Sequence, residues 1–399
     1  MRFLQKASGG ILIVAAVSTV AVLLIGAPAH DVPEQWKYPH SIRGGLMMAS
    51  QYEESKRCAQ CHHTLSRQWE TNHGESWKRE TFQYFYSQML QTTGKTHETS
   101  CVACHAPISL WEKTYTVSRD IEKEGVSCDF CHSIVLKETG AYESRPGKVK
   151  RGPRHPAYEA SHGILYDRTY GKSEFCTTCH IWESAGGLNI LDEYQLWGAT
   201  KEAAEGKECQ SCHMPRVEGY ASDFGGFQRA DVASHSFLSS NDLDFVKSAL
   251  SLNVTFERDP NDRNLGKVTA EVTNKGAAHM VPGGLSWRRY DLILRIRNSD
   301  GDKVFWGQKE TLKRDLADSR GNPTIEDWKA HSVLSDTRLK PGEKRTYTYT
   351  VDLSNLPTDE PYYVSAQVFH GRQPPEVYDM LGRARRLPTA ILSTFVPIR

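Results

Sequence analysis

Residues 124–134 read EGVSCDFCHSI: two cysteines three apart, with a histidine directly after the second. Such a pair serves as a redox dithiol, half a zinc site or a haem attachment point. The other cysteines decide between these. All ten lie in five copies of one pattern: Cys58-Ala-Gln-Cys61-His62, Cys101-Val-Ala-Cys104-His105, Cys128-Asp-Phe-Cys131-His132, Cys176-Thr-Thr-Cys179-His180 and Cys209-Gln-Ser-Cys212-His213. Histidine is 16 of 399 residues. Five independent pairs each followed by histidine would then arise by chance on the order of once in ten million, and C-x-x-C-H is the c-type haem signature.

The spacing has a physical reason. Positions i, i+3 and i+4 share one helical face. Both sulfurs can then bond the two vinyl groups of one haem, with the next imidazole beneath the iron as proximal ligand. A structural zinc site would draw on two such pairs or on spaced histidines, and five is an odd number. Cysteines three apart in identical units make poor cross-links, and a redox dithiol explains one pair at most. The sequence therefore predicts five covalently bound haem c groups, each with its iron.

The N-terminus fits the same compartment. Arg2 and Lys6 precede GGILIVAAVSTVAVLLIGAPA, no charge occurs over 7–30, and Ala27-Pro-Ala29 is an A-x-A-like cleavage site. Residues 1–29 read as a signal peptide or, since the apolar run 9–26 approaches bilayer length, as an N-terminal membrane anchor. The expected location is outside the cytoplasm, in the periplasm, free or anchored to the outer face of the cytoplasmic membrane. Formal charge is +1, so nothing points to nucleic acid. Five haems bring ten propionates and move the holoprotein towards roughly −9, which suits a redox carrier meeting partner proteins. The basic cluster Lys148, Lys150, Arg151 and Arg154 is either a propionate clamp or a solvated loop.

Residues 30–245 form the expected pentahaem domain. A segment this short cannot surround five macrocycles with a side-chain core, so the haems must be the core. Helix is expected over 81–91 and 193–206, and little or no sheet before about residue 245. The motifs at Cys101 and Cys128 are nearest in sequence and are the expected closely stacked pair. Residues 246–399 change character. SLNVTFER, GKVTAEVTN, YDLILRIRN, KVFW, RTYTYTVDL, YYVSAQVF and TAILSTFV are β-branched and aromatic, with partial alternation. Asn298-Ser-Asp-Gly301 and Lys340-Pro-Gly-Glu343 are turns. The fold class is thus multidomain: a mainly α and irregular multihaem cytochrome domain, then an all-β immunoglobulin-like sandwich.

Eleven histidines remain for the far side of the irons. His73, His162, His235 and His279 rank first by context. His97 competes with His155 for the fifth place. Histidine on both sides gives low-potential, six-coordinate iron suited to electron transfer. His279 would pin the C-terminal domain onto a haem.

The phrases Trp69-x-x-x-His73, EGVSCDFCH, SH ahead of SEFCTTCH, ECQSCHMP and HSF resemble the multihaem cytochrome family that includes the tetrahaem electron acceptor of hydroxylamine oxidoreductase, over residues 56–237. NKGAAHMVPGG followed by WRRYDLILRIRNSDG resembles a C-terminal domain of related exported cytochromes, whose loop reads G-H-x-x-P-T-G. Here Ala278 and Gly283 depart from that pattern. The resemblance implies bis-histidine haems in alternating stacked and edge-on pairs, and favours His73, His162 and His235 as distal ligands. Some relatives are enzymes that reduce small oxyanions at a haem held by C-x-x-C-K, a motif this sequence lacks; others keep one haem open. The reading is an exported electron-transfer cytochrome with no catalytic residue assigned. Two alternatives stand beside it: a reductase or oxidase of small nitrogen or sulfur compounds with one open haem, and a subunit of a homo-oligomer or haem filament organised by the β-domain.

Overall fold

The computed structural model describes residues 52–94, 98–111, 117–137, 142–155, 161–357 and 360–398. The signal or anchor segment 1–29 and His97 lie outside the described residues. Among the described residues no helix is long and apolar enough to cross a membrane.

The seven strand-like phrases all form strands: β1 (Leu250–Arg258), β2 (Leu265–Asn274), β3 (Arg289–Asn298), β4 (Val304–Leu312), β5 (Lys344–Asp352), β6 (Tyr362–Gly371) and β7 (Thr389–Ile398). They make two antiparallel sheets, ordered β5-β2-β1 and β4-β3-β6-β7. Side chains alternate across a strand. The inward set of β2 is therefore Val268, Ala270 and Val272, that of β3 Leu292, Leu294 and Ile296, and that of β6 Val364, Ala366 and Val368. All are buried in one cluster shared by both sheets. Each large aliphatic side chain taken fully from water stabilises by about 1.5–3 kcal/mol. This unit carries its own core. Gly301 (φ 76°) and Gly342 (φ 71°) occupy the two turns, in the left-handed region that glycine adopts without a Cβ clash.

The N-terminal unit is built differently. Its longest helix, α1 (Glu80–Thr93), covers the expected 81–91 stretch. The expected helix at 193–206 is two short ones, Glu193–Gly198 and Lys201–Ala204, because the Thr200 hydroxyl caps the second by accepting from the Ala203 N–H at 3.4 Å. Each motif lies on or beside a short helical turn. The expectation of little sheet is corrected. Two-stranded ladders pair Ile134–Leu136 with Tyr142–Ser144, Val149–Gly152 with Gly163–Tyr166, Trp182–Glu183 with Asn189–Leu191, and Arg216–Tyr220 with Gln228–Ala233. Linkers without a core still need partners for their backbone amides and carbonyls, and pairing with each other supplies them.

The two units are joined by polar and aromatic contacts. The buried Arg338 guanidinium donates to both oxygens of Asp192, at 3.2 and 2.7 Å, and Arg314 reaches the same carboxylate at 3.4 Å. Phe85 of α1 stacks on Trp287 with ring centres 4.6 Å apart. The Gln373 amide donates to the Thr81 hydroxyl at 2.5 Å.

Candidate haem-binding site

A single connected cavity of about 2500 Å³ runs through the N-terminal unit to its border with the sheets. All ten motif cysteines, all five motif histidines and His73, His162, His235 and His279 line it. Protein interiors pack as densely as organic crystals, with few voids larger than a water. A void of this size needs an occupant, and its lining names the chemistry. Among the described residues no three or more His, Cys, Asp or Glu side chains converge as they would on zinc.

Four of the five motif histidines are oriented by backbone carbonyls. Nδ1 of His62 donates to Ala221 O (2.5 Å), of His105 to Ser76 O (2.8 Å), of His132 to Arg151 O (2.6 Å) and of His213 to Leu238 O (2.6 Å). A carbonyl only accepts, so Nδ1 holds the proton and Nε2 keeps its lone pair for a metal. Burial also favours neutral rings. It lowers His105 to about 4 and depresses His132, His180 and His213. Short local elements set these carbonyls. Arg151 sits in the Val149–Gly152 strand, and Ala221 follows the Arg216–Tyr220 strand, anchored where the Asp223 N–H meets Cys61 O at 2.7 Å.

The candidate distal histidines face motif histidines at a uniform separation. Ring centres are 6.1 Å apart for His62 and His162, 6.2 Å for His180 and His73, 6.2 Å for His132 and His235, and 6.3 Å for His213 and His279. An imidazole nitrogen binds a first-row metal at about 2.0–2.1 Å, and the ring centre lies roughly 1.1 Å behind it, so two rings flanking one iron have centres about 6.3 Å apart. Rings stacked face to face sit much closer, as Phe82 and His105 do at 3.7 Å. Three of the four partners use Nδ1 on a nearby carbonyl: His162 on Gly163, His235 on Ala233 and His279 on Met280, at 3.0, 3.0 and 2.9 Å. His73 differs. Its buried Nδ1 has no partner, and burial lowers the ring to about 3. Phe237, at the positive φ of 46° that bulky residues avoid, packs its ring 4.0 Å from His73. The Asn72 amide holds that turn through the carbonyls of Ser236 and Phe237. Among the described residues no histidine faces His105 in this way.

His279 comes from the β2–β3 loop and so carries the C-terminal unit to the fifth motif. Gly283 stands where the related loop has threonine: a Cβ there would lie 3.0 Å from the Glu193 carboxylate and 3.1 Å from the His279 ring, so either side chain would have to give by a few tenths of an ångström. Burial pushes the Glu193 carboxyl up, but His279, the Gly284 N–H and Arg288 together hold it below its usual range.

Neighbouring motifs touch through their thiols. Cys58 meets Cys128, Cys104 meets Cys179, and Cys176 meets Cys209. Cys131 lies within electrostatic reach of Cys179 and Cys176. The first motif thus adjoins the third, the second adjoins the fourth, and the fourth also reaches the third and fifth. The basic cluster divides. Lys150 pairs with Asp129 (2.6 Å), Arg154 with Asp231 (2.9 Å), and Arg151 approaches Asp167 (3.8 Å), while Lys148 is exposed. Three of its four cations are paired, and all four line the cavity. His155 stacks on Tyr166, ring centres 4.0 Å apart, rather than facing a motif histidine. The orienting carbonyls of Ser76, Arg151, Ala221 and Leu238 carry no side-chain signal and were not foreseeable from sequence.

Residues 57–133 match the family model for cytochrome c554 and c-prime. The fold is similar to the penta-heme cytochrome c552 from Thermochromatium tepidum: TM-score 0.70 and 19% identity, over 87% of this chain and 99% of that one. The ApaA protein from Bordetella pertussis aligns with 37% of this chain and 91% of its own at 15% identity, but its TM-score of 0.18 carries no argument. No curated protein matches. Five attachment motifs, histidines spaced for an intervening iron, the family match and the shared fold together support a multihaem c-type cytochrome.

Proposed function

We propose that this chain is an exported pentahaem cytochrome that carries electrons between redox partner proteins, with an immunoglobulin-like C-terminal unit that completes its haem set. The observation that carries the reading is the repeated histidine separation of 6.1–6.3 Å across the cavity. The haems supply the redox chemistry. The chain supplies ten thioether sulfurs, neutral imidazoles on both sides of at least four irons, and exclusion of water, each of which tunes potential. His62/His162, His132/His235, His180/His73 and His213/His279 are the ligand pairs. His105 is the proximal ligand of the remaining iron, and His97 is its sequence-level distal candidate.

The thiol contacts make the fourth motif a junction: electrons entering at the first or second motif reach the fifth through it. This suits the acceptor role that the family resemblance implies. Retention of residues 1–29 as an anchor would hold the protein at the outer face of the cytoplasmic membrane. The test is a redox titration of the purified holoprotein followed by its haem absorbance, with the intact mass measured alongside. Five haems per chain, reduced and reoxidised reversibly with no consumption of nitrite or hydroxylamine, are expected. Turnover of either compound would favour the enzyme reading.

A further inference from the structure

The inward stripes of β3 and β6 do not end as they run. Along β3 the buried series Ile296, Leu294, Leu292 closes with Tyr290. Along β6 the series Val364, Ala366, Val368 closes with His370. Tyr290 and His370 are register partners on adjacent strands, with ring centres 5.4 Å apart, and both line the cavity. The His370 ring is 3% exposed, and its Nδ1 has no hydrogen-bond partner. Arg288 and Arg372 also line the cavity, two residues before Tyr290 and two after His370. Across it stands Arg79, just ahead of α1.

Burial depresses Arg79 and Arg288, and like charge adds to it. Arg79 acts on Arg288, Arg372 acts on Arg79, and Arg372 and Arg288 both act on His370. Their hydrogen bonds go to neutral groups only: Arg79 to Thr71 O and the Asn72 side chain, Arg288 to Gly283 O, Arg372 to the Asn241 side chain. Lys150, Arg151 and Arg154, elsewhere on the cavity lining, each meet a carboxylate; among the described residues Arg79, Arg288 and Arg372 have no ion pair. Carboxylates offset part of this charge, Glu75 at Arg79 and Glu193 and Asp327 at Arg288, and Arg372 is exposed; the cation charge left beside an orphaned ring nitrogen at a cavity wall suits anionic oxygen. Two motif histidines lie within their reach: Arg79 acts on His105 and Arg288 on His180.

We infer that Arg79, Arg288, Arg372 and His370 form a carboxylate clamp, built across the border of the two units, for propionates of the haems held by His105 and His180. The inference rests on the proposed pentahaem reading. The same chemistry would also receive a small diffusible oxyanion, and the test separates the two sources. Guanidinium charge stabilises the reduced, more negative haem, so its loss lowers the potential.

The experiment compares full-length holoprotein with its Arg288→Leu and Arg372→Gln variants by spectroelectrochemical titration. Lys267→Gln, on exposed β2, serves as the control. Haem content and low-spin spectra are measured first, so that failure of the pentahaem reading is seen as missing haem, separately from failure of the clamp. With five haems retained, one or two components should become about tenfold harder to reduce, about 59 mV for one electron. The control should not move. Nitrite, sulfite and phosphate should leave the wild-type spectrum and titration unchanged. Unaltered potentials in both variants overturn the clamp. So does a saturable spectral change with one of the anions that the variants lose, which would make the pocket a site for an external oxyanion.

Discussion

The two units bury themselves by opposite means. The C-terminal unit fills its interior with its own side chains, from Val268 and Val272 on one sheet to Leu292, Leu294 and Ile296 on the other. The N-terminal unit surrounds a cavity of about 2500 Å³, and its apolar clusters are small, such as Val102, Ala103, Ala106 and Leu110. The comparison teaches that a chain can hand the role of core to a covalent cofactor, keeping side chains for ligation and linkers for wrapping. The self-sufficient unit then lends its rigidity to the other through His279, the Asp192–Arg338 pair and the Phe85–Trp287 stack.

The largest expected effect breaks the comparison outright. Chain produced without haem attachment should keep slow amide hydrogen exchange in β1 to β7 and lose it over the motif helices. Protection persisting around Cys128 and Cys209 would show that the N-terminal unit has a core of its own. Next, His279→Ala should turn one haem in five high-spin while leaving the thermal transition of the β-unit in place; a wholly low-spin spectrum would remove His279 from the ligand set. Asp192→Ala leaves the buried Arg338 with Asp336 alone and Arg314 with the carbonyls of Asn189 and Ile190. Losing a hydrogen bond to a charged group costs about 1.5–3 kcal/mol, so proteolysis at the border should become faster with haem absorbance unchanged at first.

The smallest effect concerns pH. Burial raises the Asp327 carboxyl to about 6 from its usual 3.8, although Ser286 donates a hydrogen bond to it. A folded-state value above the unfolded one adds stability below about pH 4 that is lost as pH rises through 6. Asp327→Asn should therefore be more stable than wild type above pH 6, by on the order of 2–3 kcal/mol, with no advantage near pH 4. Equal gains at both pH values would contradict the assignment.

The difference between the units also governs what could be read from sequence. The strands were legible because period-two burial is a local pattern: all seven phrases became strands, with Gly301 and Gly342 at their turns. The attachment motifs were legible because covalent chemistry fixes their spacing. The candidates His73, His162, His235 and His279 each stand opposite a motif histidine, but which one each meets depends on pairings 66 to 107 residues apart, as with His213 and His279 or His180 and His73. No local signal encodes those. The ladders at 134–233 were missed because their strands are two to six residues long, too short for periodicity to declare. Motif adjacency such as that of Cys58 and Cys128, 70 residues apart, has no local signal either. Arg288 and His370 carried no signal of their own in the sequence, and only the fold brings them to the cavity.

The most direct test of the central claim is a low-temperature electron paramagnetic resonance spectrum of the oxidised holoprotein, with haem counted alongside. Four facing histidine pairs predict at least four low-spin ferric haems per chain. High-spin signal equal to two or more haems, or fewer than five haems in the first place, would contradict the account.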